Sequence, residues 1–456
     1  MSELEFLVMS VAEWQTLAAL TLLFAALLFV STRQIIVGGI FDPMTLVLTI
    51  GYSVNYAVVA FLYLHGQTSS YLTFLVFGYG LTLMYVFWWV SRRPGRSKLI
   101  TVINAITPRS TGSSAFAISL AIYLLLSFFI ILSIGFGIFA ETNRFNAARG
   151  FGAYIRLLDF LGPFIISYST LNICCRKSRR YSKAAILAIF ILYAAMVNGA
   201  KISIIFSLFT VFFTMAIATV KIKIKPIFAL TSIAVGFAFS VLALSINLRG
   251  NNVEESTEVT NLTGAGIIIE RFAYRIIASG DSSYLLLPNA IINTIKTDSI
   301  LVRFASPIIG ITASNKIFGY DVSDFSVGRQ ALLNYDPSND VSGGPTSHFD
   351  LFAYVYFGPL GGWVFVVCLA ILLGSINRAI RVAKRTQTKL TNKFQIAFLA
   401  TLWTRAVLVI IEPTVAIAYI VDVFVYFTLL SVALQFALRP PARALRPLTT
   451  RQLPAV

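Results

Sequence analysis

Histidine, cysteine and charge of either sign are all scarce in this chain. Its 456 residues include only 2 histidines and 3 cysteines, and Asp, Glu, Lys and Arg together make up 12%. Each scarcity excludes something. Cys174 and Cys175 fall at the end of one apolar run and Cys368 inside another, so no disulfide framework staples the polar loops. No His/Cys cluster offers a zinc site, and Asp321, Asp324, Asp336 and Asp340 do not follow a calcium-loop spacing. No Gly-rich phosphate loop stands at a strand–helix junction, and no internal repeat is evident. A soluble domain of this length needs more charge than is present.

Apolar residues fill the space left: 57% of the chain is hydrophobic. A membrane-crossing helix needs roughly 20 apolar residues. Runs near 14–32, 44–64, 71–91, 114–139, 156–174, 184–199, 201–219, 226–247, 351–377, 394–411 and 414–437 meet that need. The expected fold is therefore all-α, a polytopic integral membrane protein of about 11 transmembrane helices. Residues 1–247 would hold about eight of them and 351–437 about three. Between them, 248–350 forms a large extramembrane segment with amphipathic helices at 266–295 and loop from 318 to 347. Residues 438–456 make a basic tail, and Ser347 is the expected cap of the helix entering the ninth span.

The positive charges fall in alternate loops. Arg92, Arg93, Arg96, Lys98 and Arg109 share one, Arg176 to Lys183 another, and Arg378 to Lys393 a third. With Arg33, Lys221, Lys223, Lys225 and the tail, 24 of the 36 basic residues lie on this side, against one acid, Asp42. Basic loops stay cytoplasmic, so the N-terminus, with Glu3, Glu5 and Glu13, is expected outside and the C-terminus inside. The first apolar run is of spanning length and lacks a basic leader, so it reads as a helix and not as a cleaved signal. The net charge of +17 is explained by anionic headgroups without invoking nucleic acid.

Basic residues on the opposite side run against this bias and need a reason. Arg271 and Arg275 are spaced i,i+4, which puts two guanidinium forks on one helix face. Such a pair suits a diphosphate, or snorkels from an interfacial helix. Arg144 and Arg149 lie in a loop ahead of Gly150 and Gly152, and Arg156 begins an apolar run and faces either lipid or a polar cavity. Lys201, in a tight turn between runs, either meets an anion or snorkels. His348, in Gly343-Gly344-Pro345-Thr346-Ser347-His348-Phe349-Asp350, is a candidate general base at a helix start or a packing residue. Asp350 is the rival base or an orienting partner. Arg405 lies inside the tenth run and requires an acid, so a structural ion pair with Asp422 or Glu412 is expected.

Three stretches give this layout a likeness. RFNAARGFGAYIRLLDFLGPFIISY leads from an outer loop into a span. Gly199-Ala200-Lys201 forms a turn, and GGPTSHFDLFAYVYFGPLGG enters the ninth span after an outer segment carrying RFAYR; the Glu412-Pro413 pair follows late. Over residues 140–415 the chain resembles the Wzy-type O-antigen polymerases (oligosaccharide repeat unit polymerases), which are related to the O-antigen ligases. The resemblance implies a glycosyltransferase of the bacterial inner membrane in lipopolysaccharide biosynthesis. It would take a glycan on undecaprenyl diphosphate and transfer it to another lipid-linked repeat unit at the periplasmic face. The transfer would be inverting, metal-independent and free of cofactors, with a chain-length regulator as partner. It implies that Arg271 and Arg275 hold the diphosphate, with Arg144, Arg149 and Arg156 beside them, and that His348 or Asp350 is the base. An O-antigen ligase, acting on lipid A core, is the nearest alternative. A lipid-linked oligosaccharide flippase or other transporter is the alternative of a different class. Carriers place charge near the midplane, whereas here it gathers at one side.

Overall fold

The computed structural model describes residues 2–95, 97–106, 112–137, 150–175, 179–198, 203–219, 270, 273–338, 344–386 and 392–437. Within them every regular element is helical and there is no strand. Among the described residues nine helices are long and apolar enough to cross a membrane. They are α2 (Trp14–Thr32), α3 (Thr45–Leu64), α4 (Ser70–Arg92), α6 (Gly112–Ile134), α7 (Gly152–Cys175), α8 (Arg180–Asn198), α14 (Phe349–Thr386), α15 (Lys393–Ala406, continued by a 3-10 turn to Ile410) and α16 (Pro413–Ala437). All nine fall where the apolar runs place them. The seventh expected span is a shorter helix, α9 (Ser203–Ile217), and the eighth, at 226–247, lies outside the described residues.

Short helices complete the chain. α1 (Glu3–Ala12) starts on a reciprocal cap in which Ser2 Oγ accepts the Glu5 N–H at 3.2 Å and Glu5 Oε2 accepts the Ser2 N–H at 2.8 Å. α5 (Lys98–Ile106) follows α4. α10 (Asp281–Leu286), α11 (Ile300–Ile309), α12 (Ile311–Phe318) and α13 (Val327–Tyr335) belong to the long segment. α10 is buried along Ser282 to Leu286 and packs on α3, while Phe6 of α1 stacks on Tyr284 at 4.3 Å. Of the 266–295 region, residues 273–295 are thus broken into short pieces, with Asn289 and Ala290 at positive φ, and 266–269, 271 and 272 lie outside the described residues. The stretch 318–347, expected as loop, contains a 3-10 turn and α13. Its polar residues are caps: Asp321 accepts from the Ser323 N–H at 3.0 Å and Ser326 from the Arg329 N–H at 3.4 Å, and Val327 and Ala331 are buried.

The core is built around α3, α4, α14 and α15. α4 and α14 run together closely because glycines sit between them. A Cβ on Gly374 would lie 2.7 Å from Val90 Cβ, and one on Gly362 would collide with the Tyr79 hydroxyl. α14 breaks at Gly358, whose φ of 68° suits only glycine, and Pro359 follows. The Tyr79 O–H donates to the Pro359 carbonyl at 2.7 Å and so satisfies a group freed by the break. Buried polar side chains tie distant parts together. Trp403 Nε1 donates to Asp42 Oδ1 at 2.7 Å, and Asn377 Nδ2 donates to Ser91 Oγ at 3.0 Å and to the Ile35 carbonyl at 3.3 Å. Outward, Leu22, Phe74, Leu81, Leu125, Ile189 and Leu429 are exposed, forming the apolar surface a bilayer would cover.

The two ends of the bundle differ. At one, Arg92, Arg378, Arg381 and Lys384 bond to Gln34 and to carbonyls of Pro94, Ser91 and Val37. At the other lie α1, α10, α13 and the start of α14.

Candidate functional site

His348 immediately precedes α14 and is buried at 2% exposure, its ring 5.2 Å from that of Tyr52 in α3. Its Nδ1 has no hydrogen-bond partner. Burial pushes its pKa down to about 4, so the imidazole is neutral at ordinary pH. Asp350, in the first turn of α14, is equally buried. Its Oδ1 accepts the Leu351 N–H at 2.8 Å, and its Oδ2 has no partner. The Tyr52 hydroxyl stands beside this carboxylate, yet Tyr52 Oη and Asp350 Oδ2 fall short of full hydrogen-bond geometry. His348 and Asp350 do not bond each other, because one lies before the helix and the other within its first turn. His348 Nδ1, Asp350 Oδ2 and the Tyr52 hydroxyl are thus buried polar atoms without a full hydrogen bond, a costly arrangement in a core.

The backbone carrying His348 is fixed from three sides. The Ser347 N–H donates to Glu412 Oε2 at 2.8 Å, and because α14 begins at Phe349, Ser347 lies one residue too early to cap it. Ser347 Oγ instead accepts the Gly328 N–H of α13 at 3.3 Å. Ser282 Oγ donates to the Thr346 carbonyl, and its neighbour Ser283 donates to Asn55 Oδ1 of α3 at 2.7 Å. Gly328 and Gly344 allow this crossing: a Cβ on Gly328 would overlap the Pro345 carbonyl, and one on Gly344 would lie 2.8 Å from Arg329 N.

Glu412, between α15 and α16, is half-buried, and its loss of solvent pushes its pKa up to about 7. The Ser347 N–H, the Thr414 hydroxyl and the Arg303 charge oppose that rise. Arg303 of α11 is itself engaged. Its Nε pairs with Asp298 Oδ1 at 2.8 Å and its Nη2 with Oδ2 at 2.9 Å, and it also donates to the Val322 carbonyl. The Tyr356 hydroxyl reaches Asp298 Oδ1 at 3.3 Å and the Phe325 carbonyl at 3.1 Å.

Among the cations expected to hold a diphosphate, Arg275 is described and exposed, on a helical turn spanning 273–277. Arg271, Arg144, Arg149 and Lys201 lie outside the described residues. Arg156 is committed elsewhere: its Nε pairs with Asp422 Oδ2 at 2.6 Å and its Nη2 donates to the Ile308 carbonyl of α11 at 2.7 Å.

The expected ion pair of Arg405 with Asp422 or Glu412 does not form. Arg405 donates to the backbone carbonyl of Asp159 and lies 5.0 Å from the Tyr419 ring centroid, and Tyr419 donates to Asp159 Oδ2 at 2.5 Å. Asp422 takes Arg156, and Glu412 takes Ser347. Similar depth in two helices fixes no azimuth. Arg405 faces α7, whose own Arg156 reaches Asp422.

Several contributors escape a reading of the sequence. Arg303 has no spacing in the sequence that sets it apart, and Tyr52, Asn55, Ser282 and Ser283 look like ordinary polar residues in apolar surroundings. No signal short of the three-dimensional packing marks them. Among the described residues no group of three or more His, Cys, Asp or Glu side chains is placed to hold a metal ion. No family model, curated protein or solved structure matches the chain.

Proposed function

We propose that this chain is a membrane glycosyltransferase of the O-antigen polymerase type. It transfers a glycan from undecaprenyl diphosphate to a second lipid-linked repeat unit. One observation carries the reading: His348 and Asp350, within the most specific stretch of the family likeness, are both buried beside Tyr52, with Nδ1 and Oδ2 lacking a full hydrogen bond, at the end of the bundle away from Arg92 and Arg381. In this reading the N-terminus and the 248–350 segment are periplasmic, the basic loops and tail are cytoplasmic, and the membrane is the bacterial inner membrane.

The chemistry needs two things. A base must take the proton of the acceptor hydroxyl as it attacks the anomeric carbon. Cations must meet the charge that develops on the departing diphosphate. His348, held neutral, accepts a hydrogen bond or proton at Nδ1, and Asp350 is the second acceptor. Arg275, with Arg271, Arg144, Arg149 and Lys201, supplies the cations. Arg156 contributes only if it leaves Asp422.

The test is reconstitution of the purified protein with a lipid-linked repeat unit, scored for a ladder of products. Wild type is expected to give a ladder, and His348→Ala, Asp350→Asn and Arg275→Ala are each expected to lower its rate by about a hundredfold or more, the scale of one general base or one electrostatic contact. Full activity in all three variants removes the proposed site. In the host, deletion is expected to leave lipopolysaccharide capped by a single unit. Uncapped core with polymer on the carrier lipid would indicate the ligase instead.

A further inference from the structure

At the opposite end of the bundle, α4 and α14 bring together cations that have no acid to meet. Arg92 ends α4 and donates to Gln34 Oε1 at 3.1 Å, with its guanidinium 4.4 Å from the Trp88 ring centroid. Arg93 lies 3.5 Å from the Trp89 ring centroid. From α14, Arg381 Nη1 donates to the carbonyl of Ser91, the residue before Arg92, at 3.2 Å. Arg385 follows one helical turn later on the same face. Lys384 Nζ reaches the Val37 carbonyl at 3.4 Å. None of Arg92, Arg93, Arg381, Lys384 and Arg385 has an acidic partner at ion-pair distance among the described residues. Asp42, an acid that Lys384 senses, is occupied by Trp403 Nε1 at 2.7 Å and by the N–H groups of Gly38 at 2.9 Å and Met44 at 3.0 Å. Arg385 and Arg92 both neighbour Arg381. Like charges drawn this close by two packed helices call for an anion between them.

The surroundings select the kind of anion. Trp88 and Trp89 are partly exposed and Tyr85 is 68% exposed one turn above them, so the cations border directly on the apolar surface of the bundle. Aromatic residues flanked by arginine in this way belong at a headgroup layer. A ligand seated here meets guanidinium forks at one end and exposed rings and aliphatic side chains at the other.

We propose that the α4–α14 groove is a binding site for an anionic phospholipid, with its phosphate among Arg92, Arg381 and Arg385 and its acyl chains along Trp88, Trp89 and Tyr85. The site is separate from the His348 pocket and stands whether or not the glycan-transfer reading does.

The experiment is a thermal melt of the delipidated full chain in detergent, titrated with phosphatidylglycerol, cardiolipin, phosphatidylcholine or inorganic phosphate. The two anionic lipids are expected to raise the melting temperature saturably, and phosphatidylcholine and inorganic phosphate are not. At about 1 kcal/mol per cation, Arg385→Gln should raise the half-saturating lipid concentration about fivefold and the double variant R92Q/R381Q about thirtyfold. K98Q/R180Q removes two exposed charges from the same end and should change it less than about twofold, since neither lies in the groove. Arg385 is exposed, so R385Q tests the site even if the double variant fails to fold. An equal loss in K98Q/R180Q, an equal response to phosphatidylcholine, or full saturation by inorganic phosphate would each overturn the proposal.

Discussion

Single side chains at the His348 end set opposing pH dependences. The Glu412 carboxyl, pushed up to about 7 from 4.5, keeps in the folded state a proton that the unfolded chain has released. Its share of stability is therefore whole below pH 4.5 and lost as pH rises through 7. His348, pushed down to about 4 from 6.5, contributes above pH 6.5 and loses that share as pH falls towards 4. The two slopes partly cancel in the wild type. Glu412→Gln keeps an acceptor for the Ser347 N–H and cannot ionise. Chemical denaturation in detergent should show it gaining on wild type by on the order of 3 kcal/mol between pH 4.5 and 7, and a constant difference would contradict the assignment. A second residue-scale prediction concerns Arg156 and Asp422, which are mostly buried. Asp422→Ala is expected to cost about 2 kcal/mol or more by leaving the guanidinium unpaired. A double-mutant cycle should show coupling for Arg156 with Asp422 and none for Arg405 with Asp422.

At the scale of elements, α4 against α14 is the most demanding contact. Gly362→Val forces a side chain onto the Tyr79 hydroxyl and towards the Ala353 carbonyl, which is 3.1 Å from the position of a Cβ. Overpacking of this kind typically costs about 1–3 kcal/mol, so a lowered melting temperature and loosened Tyr79–Pro359 contact are expected. Val at an exposed site such as Leu360, 82% exposed, should be nearly neutral by the same measurement. Long apolar elements were legible in the sequence because a bilayer demands length and hydropathy, and both can be counted. α13 was not. Asp321, which caps the 3-10 turn before α13, and Ser326, the cap of α13 itself, read as loop residues by composition, while their actual work is to start helices, which only position reveals.

For the molecule as a whole, the separation of polarities was the most readable property. Among the described residues, Arg92, Arg378, Arg381 and Lys384 gather at one end, and α1 and α10 meet at the other. Partner choice inside the bundle was not readable. Arg156, Arg405, Asp159 and Asp422 were all visible as charges within apolar runs, yet which pairs with which depends on helix rotation, and hydropathy carries no azimuth. The candidate base residues were legible because His348 is one of only 2 histidines, whereas the Glu412 and Ser282 anchors of its backbone come from residues far away in the chain.

That distance has a consequence for biogenesis. Asp42 waits for Trp403, 361 positions later, and Ile35 for Asn377, 342 positions later. At roughly 5–20 residues per second, the ribosome needs about 20 to 70 s to deliver the indole that Asp42 binds. During that interval Asp42 has only its local partners, the N–H groups of Gly38 and Met44, so quality control of the early helices must tolerate an incomplete bundle. A nascent chain stopped before Trp403 would leave them in that condition for good and mark them for proteolysis.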